Sequence, residues 1–261
     1  MRTPLLLTLL ICACAAPAHA QPTDDPPKFE VFLGYTTQRR DTERFGELTN
    51  FAGIPASQLA PSFNATPAEA DAGFSDAFES ARWQKGFNAS ATYYVSRRFG
   101  LTADFAYARG DDTRSIPNNP LFFEDTSRGR RRSYSLLFGP QAKFRRGRVE
   151  PFAHALFGAT RLRNSVTLSI QGGGGEVSTL RLRDEHTAFS AALGGGVDVG
   201  LTRHVALRAI QVEYLPVFTR DRDARLVAPT AAGADGNSLG LTTFNGSRRD
   251  GLRVSFGIIF R

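Results

Sequence analysis

The chain has 261 residues, 41 % of them hydrophobic, and 32 Lys and Arg against 25 Asp and Glu give a formal charge of +7. Its two cysteines, Cys12 and Cys14, both fall within the first 20 residues, so a disulfide framework, a thiol nucleophile or a cysteine-held metal is excluded beyond that point. After residue 20 no apolar run approaches the roughly 18 residues of a membrane helix, and interleaved acids in an exported chain argue against nucleic acid as the partner of the basic charge.

Residues 1–20 read as a secretory signal peptide: Arg2 supplies the positive start, residues 5–16 form an apolar run, and Ala18-His19-Ala20 is a cleavage site. Cleavage makes Gln21 the first mature residue, with lipidation at Cys14 as the alternative. Residues 21–28 are a polar, proline-rich lead-in, and residues 29–261 form one domain.

The first strand is predicted at 29–38, with Phe29, Val31, Leu33 and Tyr35 on one face and Glu30, Phe32, Gly34 and Thr36 on the other. Phe32 interrupts an otherwise small and polar face. A long irregular stretch follows, within which Thr66-Pro67-Ala68-Glu69 has the form of a capping box and predicts a short helix over 67–72. Strands two and three are predicted at 84–95 and 99–109, joined by Ser96-Arg97-Arg98. A polar loop then leads to strand four at 131–145, where Pro140 predicts a bulge. Strand five spans 149–162 with ambiguous facing, and a loop containing Gly172 to Gly175 follows. Strands six and seven, 187–201 and 205–215, form a long hairpin about Thr202-Arg203-His204. Its first arm alternates strictly, Phe189, Leu193 and Val197 against Ser190, Gly194 and Asp198. A last long loop precedes strand eight at 251–261.

Long and short connections alternate throughout, which an up-and-down barrel requires and a soluble sandwich does not. The large apolar residues occupy one face, and Gly, Ser, Asn, Thr and Asp the other. Large apolar residues suit a lipid-facing exterior, and small residues suit the narrow interior of an eight-stranded barrel. A closed ladder also satisfies every backbone polar group in hydrocarbon. Aromatics near strand ends, among them Tyr35, Tyr93, Tyr94, Tyr107, Tyr134 and Tyr214, fit interfacial girdles. The predicted fold is all-β: an eight-stranded antiparallel up-and-down transmembrane β-barrel with short periplasmic turns and four long extracellular loops.

Segments 86–111, 151–162, 188–215 and 251–261 together resemble the bacterial outer-membrane β-barrel domain family of the small OmpA-like and opacity-protein type. The resemblance implies the bacterial outer membrane as location and the outer-membrane assembly machinery as a partner during insertion. Barrels of this kind usually end in an aromatic residue, whereas here Phe260 is penultimate and Arg261 last. The resemblance fixes fold more firmly than function.

Two groups of residues stand out as candidate sites. Glu30, Asp104, Asp198 and Arg253 fall on the inner face and predict a polar network that holds register, with Arg208, Gln211 and Glu213 as further members. Arg208 and Glu213 cannot share a face in a regular strand, so a bulge or an end position is needed for one of them. Arg128, Arg130, Arg131 and Arg132 lie where strand four meets the outer surface, and their guanidinium groups suit the phosphates of lipopolysaccharide. After signal cleavage His154, His186 and His204 remain, and none has the neighbouring serine and acid of a lipid-facing catalytic patch. No catalytic residues, metal site or cofactor are therefore expected. The expected role is non-enzymatic, in envelope integrity or surface contact, by a monomer whose partners are outer-membrane lipid and lipopolysaccharide. A small-solute channel and a lipid A-modifying barrel enzyme are the alternatives.

Overall fold

The computed structural model describes residues 27–40, 82–116, 125–145, 147–171, 177–229, 235–244 and 246–261. The signal segment, the predicted helix at 67–72 and the glycine run 172–175 lie outside these residues. Twelve strands follow in order: β1 (Phe29–Arg40), β2 (Arg82–Tyr94), β3 (Phe99–Ile116), β4 (Asp125–Lys143), β5 (Val149–Gln171), β6 (Val177–Gly200), β7 (Val205–Tyr214), β8 (Val217–Phe218), β9 (Arg222–Pro229), β10 (Asp235–Phe244), β11 (Arg248–Arg249) and β12 (Gly251–Phe260). Eight of them, in the order β6-β5-β4-β3-β2-β1-β12-β7, close into an antiparallel barrel because β7 pairs back onto β6.

Period-2 alternation orients the barrel strands. On β1, Glu30, Phe32, Thr36, Gln38 and Arg40 are buried while Phe29, Leu33 and Tyr35 are exposed. The same holds around the ring, where Phe87, Phe105, Phe138, Phe157, Phe189 and Phe256 all lie on the outside. In water such a surface would be an exposed apolar patch of prohibitive size; in lipid it is the solvated face. The facing of β5, ambiguous in the sequence, is settled: Phe152, His154, Leu156, Thr160 and Leu162 point inward.

Three tight turns close one end. Ser96 Oγ accepts a hydrogen bond from the Phe99 amide at 3.0 Å, and Thr202 Oγ1 accepts one from the Val205 amide at 3.1 Å. The third turn uses Gly147 at φ 75°, a backbone conformation that favours glycine.

Several sequence expectations need correction. The ladder between β4 and β5 skips Gly139 and Pro140 but resumes at Gln141↔His154 in unchanged register, so Pro140 makes no bulge. The proline removes a donor on the β5 side only, and pairing to β3 through Leu101↔Pro140 is intact. Tyr94 belongs to the interior rather than a girdle. Three stretches read as loops are largely strand. β3 runs on to Ile116, β4 begins at Asp125, and β5 and β6 extend to 23 and 24 residues. That is about twice the roughly 9–11 residues that cross a bilayer. The last long connection contains β8, β9, β10 and β11. β6 pairs successively with β7, β8 and β9, so the final hairpin also continues upward. On the loop side the barrel thus continues as an open sheet, β3-β4-β5-β6-β9-β10.

Candidate functional sites of the barrel interior and rim

The interior is filled by charge. Near the turn end, Lys143 Nζ lies 2.6 Å from Glu30, 2.7 Å from Asp198 and 3.6 Å from Glu150, with no exposure of the lysine side chain. The Arg208 guanidinium clasps Asp198 at 2.8 Å and donates to Gln211 at 2.7 Å. It is sandwiched between Phe152 and Phe32, 4.1 Å and 4.4 Å from the ring centres. Phe32 therefore has a partner, and it has room because Gly34 adds nothing: a Cβ there would stand 2.4 Å from the Phe32 ring. Tyr94 donates its hydroxyl to Glu30 at 2.9 Å and accepts from Gln141 at 2.8 Å. Arg261 reaches back inside to Glu30 and Glu150.

A second layer lies deeper. Arg253 donates to Glu213 at 2.6 and 2.7 Å and to Asp104 at 2.8 Å. Asn88 donates to the other Asp104 oxygen at 2.7 Å, and His154 Nε2 lies 2.9 Å from Glu213. Glu30, Asp104, Asp198 and Arg253 are thus all interior, divided between two connected layers. Arg208 and Glu213 both point inward because β7 bulges. The register against β6 shifts between Val197↔Ile210 and Asp198↔Arg208, and that against β12 shifts between the same strand positions. Ala209 and Ile210 share one slot on the outer face.

Above these layers come an apolar plug of Leu137, Leu156, Ala192 and Leu215 and a hydroxyl chain Ser135–Thr160–Ser190, linked at 2.9 and 2.7 Å. Gln38, Gln84 and Ser133 bond one another, and Arg40 and Arg249 close the inner face at the loop end.

The outer face carries a different pattern. Phe87, Tyr107 and Tyr134 are direct cross-strand partners, with ring centres 5.8 and 5.0 Å apart. One step above this aromatic row, Lys85, Arg109, Arg132 and Arg163 are also direct partners across β2 to β5, and Glu185 ends the row on β6. Arg109 bonds Asp111 at 2.8 Å, and Arg130 lies 3.9 Å from the same carboxylate. Hydrogen bonds from Arg161 and Arg163, strengthened by their charge, hold the Glu185 carboxyl below its ordinary range against the opposing effect of desolvation. Of the four arginines singled out on strand four, Arg130 is exposed and shares the outer face with Arg132. Arg131 shares the inner face with Ser133 and has a partner of its own, and the Arg128 side chain lies outside the described set. Sequence reasoning missed that the basic row spans four strands, because cross-strand register is invisible along one chain.

A closed eight-stranded ring with an apolar exterior, a charged interior and aromatic rows beneath basic ones defines a transmembrane barrel of the bacterial outer membrane. The family model described as "Outer membrane protein beta-barrel domain" matches residues 6–245, and the chain belongs to that family. Among solved structures, Ail, the attachment invasion locus protein of Yersinia pestis, is 13 % identical with a TM-score of 0.40, over 89 % of this chain and 97 % of that one. The outer membrane protease OmpT of Escherichia coli is 8 % identical with a TM-score of 0.48, over 92 % and 98 %. OprG of Pseudomonas aeruginosa is 12 % identical with a TM-score of 0.37, over 89 % and 94 %. No curated protein matches the sequence.

Proposed function

We propose that this barrel is a non-catalytic envelope and surface-contact protein that anchors itself to the phosphates of lipopolysaccharide. The observation that carries this reading is the row Lys85–Arg109–Arg132–Arg163. Like charges placed directly opposite each other across a ladder repel, and here four follow in succession immediately above an aromatic boundary. Asp111 and Glu185 offset only part of that charge. Phosphates of the outer leaflet supply the rest, held by bidentate guanidinium contacts. The open sheet above the row offers the contact surface toward the exterior.

The channel alternative finds less support, since conduction requires the buried pairs of Lys143, Arg208 and Arg253 to part. The lipid-modifying alternative also finds less support. His154 and His186 bond the inner-face acids Glu213 and Asp184, and His204 sits in a turn at the far end. The deciding experiment replaces Arg130, Arg132 and Arg163 by Gln and measures lipopolysaccharide that co-purifies with the folded barrel. Retention falls severalfold if the row is the anchor; retention equal to wild type refutes it.

A further inference from the structure

Among the described residues, Arg40 is a cation on the inner face at the loop end with no counter-ion. Arg40 closes β1 and is 6 % exposed, and among the described residues neither its Nε nor its Nη2 has a hydrogen-bond acceptor. The register fixes its surroundings. Arg40 pairs with Gly251 and Gln38 with Arg253. Arg249 and Arg253 flank Gly251 by two residues on either side, and both are buried. Arg253 is thus a diagonal neighbour of Arg40 in the β1–β12 ladder, about 7–8 Å away, and Arg249 in β11 stands just past the ladder's end.

Arg253 is committed to Asp104 and Glu213. The charges set against Arg40 are those of Arg253 and Arg249, both of its own sign. A buried cation facing like charges is stable only when an anion completes it. Beneath it lie the Gln38–Gln84–Ser133 bonds and the Arg253 layer. The guanidinium fork of Arg40 suits an acceptor with several oxygens.

We propose that Arg40, with Arg249 beside it, forms an oxyanion-binding site in the outer mouth of the barrel. It takes a phosphate or sulfate group from the external medium, either free or as an ester on a larger solute. This site faces inward and is separate from the outward lipopolysaccharide row.

The test uses the full-length barrel in phospholipid nanodiscs free of lipopolysaccharide, at constant ionic strength set with chloride. Inorganic phosphate and phenyl phosphate are titrated while the arginine Nε–H signals are followed by ¹⁵N NMR. A saturable shift of the Arg40 and Arg249 signals in wild type is expected, with the response read at Arg249 weakened about tenfold or more in Arg40→Gln and partly restored in Arg40→Lys. Tighter response to phenyl phosphate identifies an ester as the source, and tighter response to inorganic phosphate identifies the free ion. Absence of a saturable shift in wild type overturns the proposal, as does unchanged affinity in Arg40→Gln. Gel mobility without boiling verifies that each variant is folded. If Arg40→Gln fails that check, Arg249→Gln takes its place, and unchanged affinity there overturns the proposal equally. The variant Arg130→Gln/Arg132→Gln retains the response, which separates this site from the outer row.

Discussion

Arg253 donates to two carboxylates, and its loss strands both of them in the interior. Breaking a buried pair by removing one partner costs roughly 3–5 kcal/mol, whereas replacing the whole set by apolar groups is often neutral. Arg253→Leu is therefore expected to lower stability by about that amount in urea unfolding from vesicles. The triple replacement of Arg253, Asp104 and Glu213 by Leu recovers most of the loss. The sole tryptophan, Trp83, lies on the outer face and reports the transition by its emission. Glu185 gives a pH-dependent counterpart on the rim. Its carboxyl is held below its unfolded value by Arg161 and Arg163. Its stabilisation is thus present above the unfolded value and lost as pH falls through the lowered folded one. An NMR titration of Glu185 should show a depressed midpoint, and Arg161→Gln should move it upward.

The β7 bulge decides at the level of the element which side chains reach the interior. Deleting Ala209 removes the extra residue and leaves Arg208, Gln211 and Glu213 inward, so this variant is expected to fold and to shift on an unboiled gel. Deleting Val212 instead sends one part of β7 to the wrong face, because a one-residue slip inverts every side chain, and the shift is lost. The spacing of Arg208 and Glu213 made legible that a bulge or an end position was needed; the register shows which, and where. The lipid-crossing strands were legible because one of their faces is uniformly apolar. The upper strands escaped because that signal ends at the rim. In 165–170 the alternation rests on Val166, Leu168 and Ile170 against Ser165, Thr167 and Ser169, without the large aromatics that mark the lipid face below. A reading that follows the lipid face sees that stretch as loop. The polar network was legible only as a set of inward residues, since which acid meets which base depends on closure of the ring. The pairing of Arg253 with Asp104 joins residues 149 positions apart.

For the molecule as a whole, packing of the interior predicts the absence of steady conductance. Lys143, Asp198, Glu213 and Arg253 have no solvent exposure, and the apolar plug lies above them. Planar-bilayer recordings at neutral pH should show no sustained channel steps; regular openings would mean that the two ion-pair layers separate. The membrane part should also be independent of the sheet above it. Replacing 167–181 by a tight turn removes the upper β5–β6 ladder but leaves all eight strands paired within the membrane part, so the unboiled gel shift is expected to persist.

Four strands of the outer sheet, β3, β4, β5 and β6, are transmembrane strands continued without a hinge. A pull applied at the sheet's tip runs along these strands and loads many ladder bonds side by side, so they yield together rather than one after another. Whatever grips the outer sheet therefore tugs directly on the membrane-embedded ring, and the molecule behaves under tension as a single stiff rod set in the bilayer.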